Sequence, residues 1–274
     1  RKNIQFLNLR KERYSFMNQP DTPSQTIYLC DDTPDGIFTA VYDAWASGLG
    51  HQNVALALNG DYNLSLFARY VSVTTDYEKS FRVARSVQRK LSSAVFDMAY
   101  RASLSNDPEK ADAIYRFLVL AFRRGPKIVS MLGLPQVQTI FALHRRVSNE
   151  AHYFVEFTRF SALAQHLLYG KICPKANVLP LTAPHFADRL PSESWILLDE
   201  KRNLAALHPA DRDWVLMPVQ KDELEALCHY DAEEDQYRSL WKLFHKTIAI
   251  RERTNPRCQM THLPLWYRKN MTEF

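Results

Sequence analysis

At Phe160 the hydrophobic period of this chain changes, and that switch limits the possible folds more than any other feature. Before it, apolar residues recur at every third or fourth position in long stripes, the spacing of helices that bury one face. The run 76–101 carries Phe81, Ala84, Val87, Leu91, Ala94 and Met98. Ala111, Ile114, Tyr115, Leu118, Val119 and Phe122 mark a second helix that closes at Arg123, Arg124, Gly125 and Pro126. Residues 136–157 form a third, with Val137, Ile140, Phe141, His144, Val147, Ala151 and Phe154 inward. After Phe160, short apolar runs bounded by turn residues take over, as in strands. The strand expectations are 165–172, Ser194–Asp199, Leu204–His208 and 214–219, the last three forming a meander, before a final amphipathic helix at 231–251 with Tyr237, Leu240, Trp241, Phe244 and Ile248.

Upstream, residues 1–25 alternate basic and apolar side chains and end in turn-rich NQPDTPSQ, which reads as an arm. A strand at 26–30 is followed by a turn at 31–36 and a helix from about Asp35 with Ile37, Phe38, Val41 and Trp45 as its apolar positions; another strand is expected at 66–73. Asp31, Asp32 and Asp35 suit the cap of that helix, where carboxylates meet unpaired N–H groups and the positive dipole end. The expected fold is α+β: a mostly helical single domain over 26–274 with a small, largely antiparallel sheet.

Composition narrows the chemistry. Only seven glycines occur and no GxGxxG follows a strand, which disfavours a dinucleotide fold. No GxSxG elbow is present, and Cys30, Cys173, Cys228 and Cys258 are too dispersed for a zinc or disulfide framework, so four reduced thiols are expected. No apolar run is long enough to span a bilayer and residues 1–17 lack the apolar core of a secretory signal, so the expectation is a soluble, cytoplasmic protein. Thirty-five Lys and Arg against thirty Asp and Glu give a formal charge of +5, a modest bias toward polyanions.

Arg82, Arg85 and Arg89 recur at i, i+3 and i+7, so they share one side of their helix and could track a phosphate backbone; a solvated face is the plainer reading. The C-terminal NPRCQMTHLPLWYRKN interleaves Arg257 and Lys269 with Trp266 and Tyr267, combining phosphate partners with stacking faces, unless it simply wraps the domain. Residues 150–202 concentrate His152, Arg159, His185, Asp188, Arg189, Asp199 and Arg202 among apolar anchors. Charged groups removed from water must be paired, so this stretch is either a pocket or an internal ion-pair network. His152, His185, Asp188 and Arg189 are its candidate catalytic residues, with His185 and Asp188 one turn apart on a helix that Pro184 would start. No metal site and no cofactor are called for, since the HExxH order is absent.

The strings EAH with RF seven residues on, NVLPL, PHFADRLP, Trp195-Ile196 with Asp199 and Arg202, and LWxxFxxxIAIxxRxNPR resemble the bacterial family labelled "probable DNA metabolism protein". The resemblance runs from about Thr26 to the C-terminus. It falls on Glu150, His152, Arg159, Asn177, His185, Asp188, Arg189, Trp195, Asp199, Arg202, Trp241, Asn255, Pro256 and Arg257. The chain departs from it at Val155-Glu156 and at Tyr267-Arg268. It implies DNA-linked work beside a radical-SAM protein, and a kinship with domains fused to UdgX-type uracil-DNA-glycosylase-like domains. The resulting expectation is a nucleic-acid-binding accessory protein of DNA repair or base modification, with DNA and the radical-SAM protein as partners. Arg82, Arg85, Arg89, Arg159, Arg257 and Lys269 would meet phosphate, and Trp266 and Tyr267 the bases. A hydrolase or lyase acting on DNA or a modified nucleotide, and a pure protein-interaction module, are the alternatives.

Overall fold

The structure, a computed structural model, describes residues 25–60, 65–163, 167–220 and 236–271. The expected arm therefore lies outside the described residues except for Gln25, which opens the first strand. The chain divides into two compact units, one made of residues up to Ser103 with Asp107–Phe141, the other of Leu104–Asn106 with the chain from Ala142 onward.

The first unit is built around β1 (Gln25–Cys30), flanked by β2 (Val54–Leu58) and β3 (Ala68–Ser72). Both neighbours run parallel to it, with Tyr28 opposite Leu56 on one side and Val71 on the other. A central strand covered on both faces reads as a continuous apolar run, and Thr26 to Cys30 are all buried, whereas β2 alternates. This sheet is wholly parallel, so the expectation of largely antiparallel pairing fails here. Strand β2 was not foreseen, and register between strands this far apart in sequence is not a local property.

Helix α1 (Pro34–Ala46) starts where the Asp-rich turn predicts, with Thr33 Oγ accepting from Gly36 N at 3.0 Å. A Cβ on Gly36 would lie 2.7 Å from the Asp31 carbonyl oxygen, so the turn can close only on glycine. The expected helix at 76–101 is two helices, α2 (Tyr77–Lys90) and α3 (Ser93–Ser103). The break has a local cause: Leu91 leaves helical geometry (φ −116°, ψ −93°), and Ser92 Oγ then accepts from Val95 N as a new cap. A single stripe cannot cross that break. Val87 and Met98 are buried as expected, but Ala94 is exposed and Phe81 keeps 64% of its surface. Helix α4 (Lys110–Arg124) carries the deepest core of the unit, including Ile114, Tyr115, Phe117 and Leu118, and ends on Gly125 at φ +82°. A 3-10 turn at Pro126–Ser130 precedes α5 (Pro135–Phe157), whose first residues belong to this unit and the rest to the second.

The second unit holds a sheet in the order β4 (Phe160–Leu163), β5 (Leu167–Ile172), β6 (Ser194–Asp199), β7 (Leu204–His208), β8 (Val215–Pro218). Three pairings are antiparallel, and β6, β7 and β8 form the expected meander. The β5–β6 pair is parallel because α6 (Leu179–Arg189) forms the crossover between them. Helix α6 starts at Leu179, so Pro184 lies inside it and does not open it. Trp195 and Leu197 are buried on one face of the sheet, and Tyr169 and Leu198 on the other. The final helix is α7 (Gln236–Ile248); residues 231–235 of the expected span lie outside the described residues. Its stripe does not turn inward, since Leu240, Trp241, Leu243, Phe244 and Ile248 are all exposed. Two short helices follow, α8 (Pro256–His262), capped by Asn255 Oδ1 accepting from Cys258 N, and α9 (Leu265–Arg268). Among the described residues no helix is long and apolar enough to cross a membrane.

Candidate functional site

Helix α2 is held from one side only. Asp76 caps it by accepting from Glu78 N (2.9 Å) and Lys79 N (3.2 Å), and its own N–H donates to Thr39 Oγ on α1. Lys79 reaches Asp43 at 2.7 Å and Ser80 Oγ donates to Asp35 at 2.6 Å, so both polar ties and the buried Val87 face α1 and the core. What remains outward is Tyr77 (74% exposed), Phe81 (64%), Arg82, Arg85 and Arg89. Arg82 pairs with Glu78 at 3.0 Å while more than half its side chain stays open, and its pKa is held up by bonds to Tyr42 and Glu78. Among the described residues, no ion pair engages Arg85 or Arg89. Exposed aromatic rings and exposed guanidinium groups thus share one helix face.

Beside that face is a cleft of about 470 Å³ between α1, α2 and α4. Val41, Trp45, Leu118 and Phe122 form an apolar floor, with Arg82 and Lys90 at the rim. Trp45 keeps 39% exposure, held edge-on by His51, Tyr115 and Phe122. His51 Nδ1 lies 2.8 Å from the Tyr115 hydroxyl, and burial, then Arg123 and Arg116, push its pKa down.

In the second unit three charged residues of 150–202, Glu150, Asp199 and Arg202, are used on the chain itself. Glu150 takes Lys175 N (2.7 Å) and Ala176 N (3.0 Å) on its two carboxylate oxygens. Asp199 is fully buried, pairs with Arg202 at 2.9 Å and caps the following turn through Lys201 N and Arg202 N. Burial raises the Asp199 pKa, and Arg202 opposes that rise. Arg202 also donates to the carbonyls of Pro174 and Lys175, so Glu150 and Arg202 clamp the same loop from two sides.

The four candidate catalytic residues are all exposed, and no hydrogen bond or ion pair joins them to one another among the described residues. His152 Nε2 sits 3.2 Å from Glu156, and the His185 ring lies edge-on to Phe186. Arg189 ends α6. Asp188 lines a polar cleft of about 540 Å³ with Asp211, Asp213 and His208. His208, which sequence reading did not single out, is buried, stacks on Trp195 (5.0 Å, 8°) and donates from Nδ1 to the Glu193 carbonyl. Strand alternation places it inward, but its stacking partner comes from another strand and leaves no local signal. No group of three His, Cys, Asp or Glu side chains with metal-binding geometry occurs among the described residues.

The tail is anchored. Tyr267 packs on Tyr153, Phe154 and Phe157 at 5.0–6.1 Å, and burial raises its pKa, so this half-buried ring is used at least in part to wedge the tail against α5. Lys269 pairs with Glu200 at 3.0 Å, and the Arg159 guanidinium lies 5.9 Å from the Trp241 ring centroid. Arg257 is exposed, and Trp266 keeps 43% exposure with Lys175 over its ring. Cys30 is a buried thiol whose pKa is pushed to about 12 by burial and by Asp31 and Asp32; Cys173 and Cys258 are also free, and Cys228 lies outside the described residues.

These features define an α+β protein with a cationic, aromatic helix face and a separate internal polar network. Residues 108–273 match the model of a domain of unknown function, DUF4130, and the chain belongs to that family. No curated protein matches it.

Proposed function

We propose that the protein binds nucleic acid in DNA repair or base modification, as the accessory partner of a radical-SAM enzyme. One observation carries the binding part: α2 presents Arg85 and Arg89, with no ion pair among the described residues, and the half-open Arg82 to solvent together with Tyr77 and Phe81, while Lys79 and Ser80 tie the helix to α1 on the other side. Guanidinium groups bind phosphate with two parallel donors, and exposed rings stack on bases regardless of sequence. The same residues would be a wasteful solvated face, since two large aromatic side chains gain nothing in water. Arg257 and Trp266 add a second cation and ring pair on the tail.

The partner is inferred from the family resemblance and is supported by α7, whose Leu240, Leu243, Phe244 and Ile248 remain exposed. An apolar face of that size on a surface helix suits a protein contact. The test of the binding part is a fluorescence-anisotropy titration of a labelled DNA against the full chain at several salt concentrations. Log affinity is expected to fall linearly and steeply with log salt. Undetectable or salt-independent binding would remove the reading. Co-purification with the radical-SAM protein that withstands nuclease, and is lost in Leu243→Asp, tests the partner separately.

The polar cleft around His208 favours a second reading, an enzyme acting on DNA or a modified nucleotide. His208 donates from Nδ1 to the Glu193 carbonyl, and its ring lines the cleft together with Asp188 and Asp211. Turnover of a DNA or nucleotide substrate that disappears in His208→Gln with the fold intact would favour it over simple binding.

A further inference from the structure

We infer that the cleft between α1, α2 and α4 receives one unpaired nucleotide, its base against Trp45 and Phe122 and its phosphate toward Arg82 and Lys90. This rests on the nucleic-acid reading of α2 and says which form of nucleic acid the face selects. Arg82, Val83, Ser86 and Lys90 of α2 line the cleft, the last two one position from Arg85 and Arg89 on the same helix, so a strand tracking those arginines runs beside it. Its volume, about 470 Å³, falls within the range of small-ligand sites, and its floor is apolar.

The charge and the shape point to the same occupant. An uncharged apolar ligand would leave Lys90 at the rim without a counter-charge and gain nothing from Arg82, whose side chain stays more than half open beside Glu78, and a simple anion would leave the aromatic floor unused. A nucleotide supplies an anion and a flat ring in one unit. Trp45 offers a preset surface for that ring: three aromatic neighbours hold the indole edge-on, so little side-chain freedom is lost when a base arrives. Ser86 lines the same cleft, and its hydroxyl can meet the polar edge of a base. A base inside a duplex is stacked on both faces and cannot reach such a floor. It must come from a single strand or be turned out of the helix, at a cost that is smallest for mismatched or damaged positions.

The test compares a labelled single strand with the duplex of the same sequence, bound to the full chain at one salt concentration. The single strand is expected to bind about tenfold or more tightly, the effect of gaining base stacking. Trp45→Leu, which keeps the apolar packing but removes the indole, and Ser86→Glu, which puts a carboxylate in the cleft, should each weaken single-strand binding far more than duplex binding. Equal affinities for the two forms, or variants that weaken both in proportion, would overturn the inference while leaving the α2 reading in place. If neither form binds, the α2 reading falls, and titration with a nucleoside monophosphate followed at the Trp45 indole N–H resonance decides the cleft alone. A saturable shift supports it, and no shift overturns it.

Discussion

Residues 77–90 and residues 150–202 both drew attention as charged stretches, and the structure uses their charges in opposite ways. In the second, Glu150, Asp199 and Arg202 take up backbone amides and carbonyls of residues 174–176 and 201–202. Those three charges hold a loop, while His185, Asp188 and Arg189 of the same stretch stay exposed. On α2, Arg85 and Arg89 engage no ion pair among the described residues and stand beside exposed rings. A dense cluster of ionisable residues is therefore the weaker functional signal of the two. Buried charges must be satisfied internally, whereas cations left in solvent beside aromatics have no structural need to be there. The family match, 108–273, covers the network and not α2.

Four substitutions or conditions would break or sharpen this contrast. Asp199→Ala should destabilise the protein by about 3–5 kcal/mol in urea unfolding, because it leaves Arg202 and two amides without their buried partner. A loss under 1 kcal/mol would mean the network is not structural. Glu150→Ala should cost about 1.5–3 kcal/mol by the same measurement, the range for hydrogen bonds to a charged group. Arg85→Ala with Arg89→Ala should leave unfolding within about 0.5 kcal/mol of wild type yet flatten the salt slope of DNA binding by about two. A change in stability with no change in slope would reverse the roles assigned to the two regions.

The smallest effect concerns pH. His51 has a lowered pKa in the folded protein, so the unfolded chain binds more protons as pH falls. Its stabilising contribution is full above about pH 6.5 and is lost as pH drops through the lower folded value. Thermal unfolding of the first unit should shift down between neutral and mildly acidic pH, and His51→Gln should reduce that shift. An identical shift in the variant would assign it to other groups.

Much of the architecture was legible from local pattern. The meander β6–β7–β8 and helices α4 and α5 follow from period and end signals, because each depends on residues adjacent in sequence. The parallel sheet did not follow, since β1 meets β2 and β3 across long connections. The break at Leu91 also escaped, and with it the exposure of Phe81; Ser92 and Ser93 were the available signal, as a cap inside an apolar stripe. For the site, the spacing of Arg82, Arg85 and Arg89 was enough to put them on one side of a helix. The packing of Tyr267 on α5 escaped because its partners there lie more than a hundred positions upstream.

Hydroxyl-radical footprinting with and without a DNA oligonucleotide tests the central contrast most directly, since oxidation reports side-chain exposure residue by residue. Tyr77 and Phe81 should lose most of their reactivity when DNA binds, while His152 and His185 keep theirs. Protection of His152 and His185 with Tyr77 and Phe81 unchanged would contradict the account.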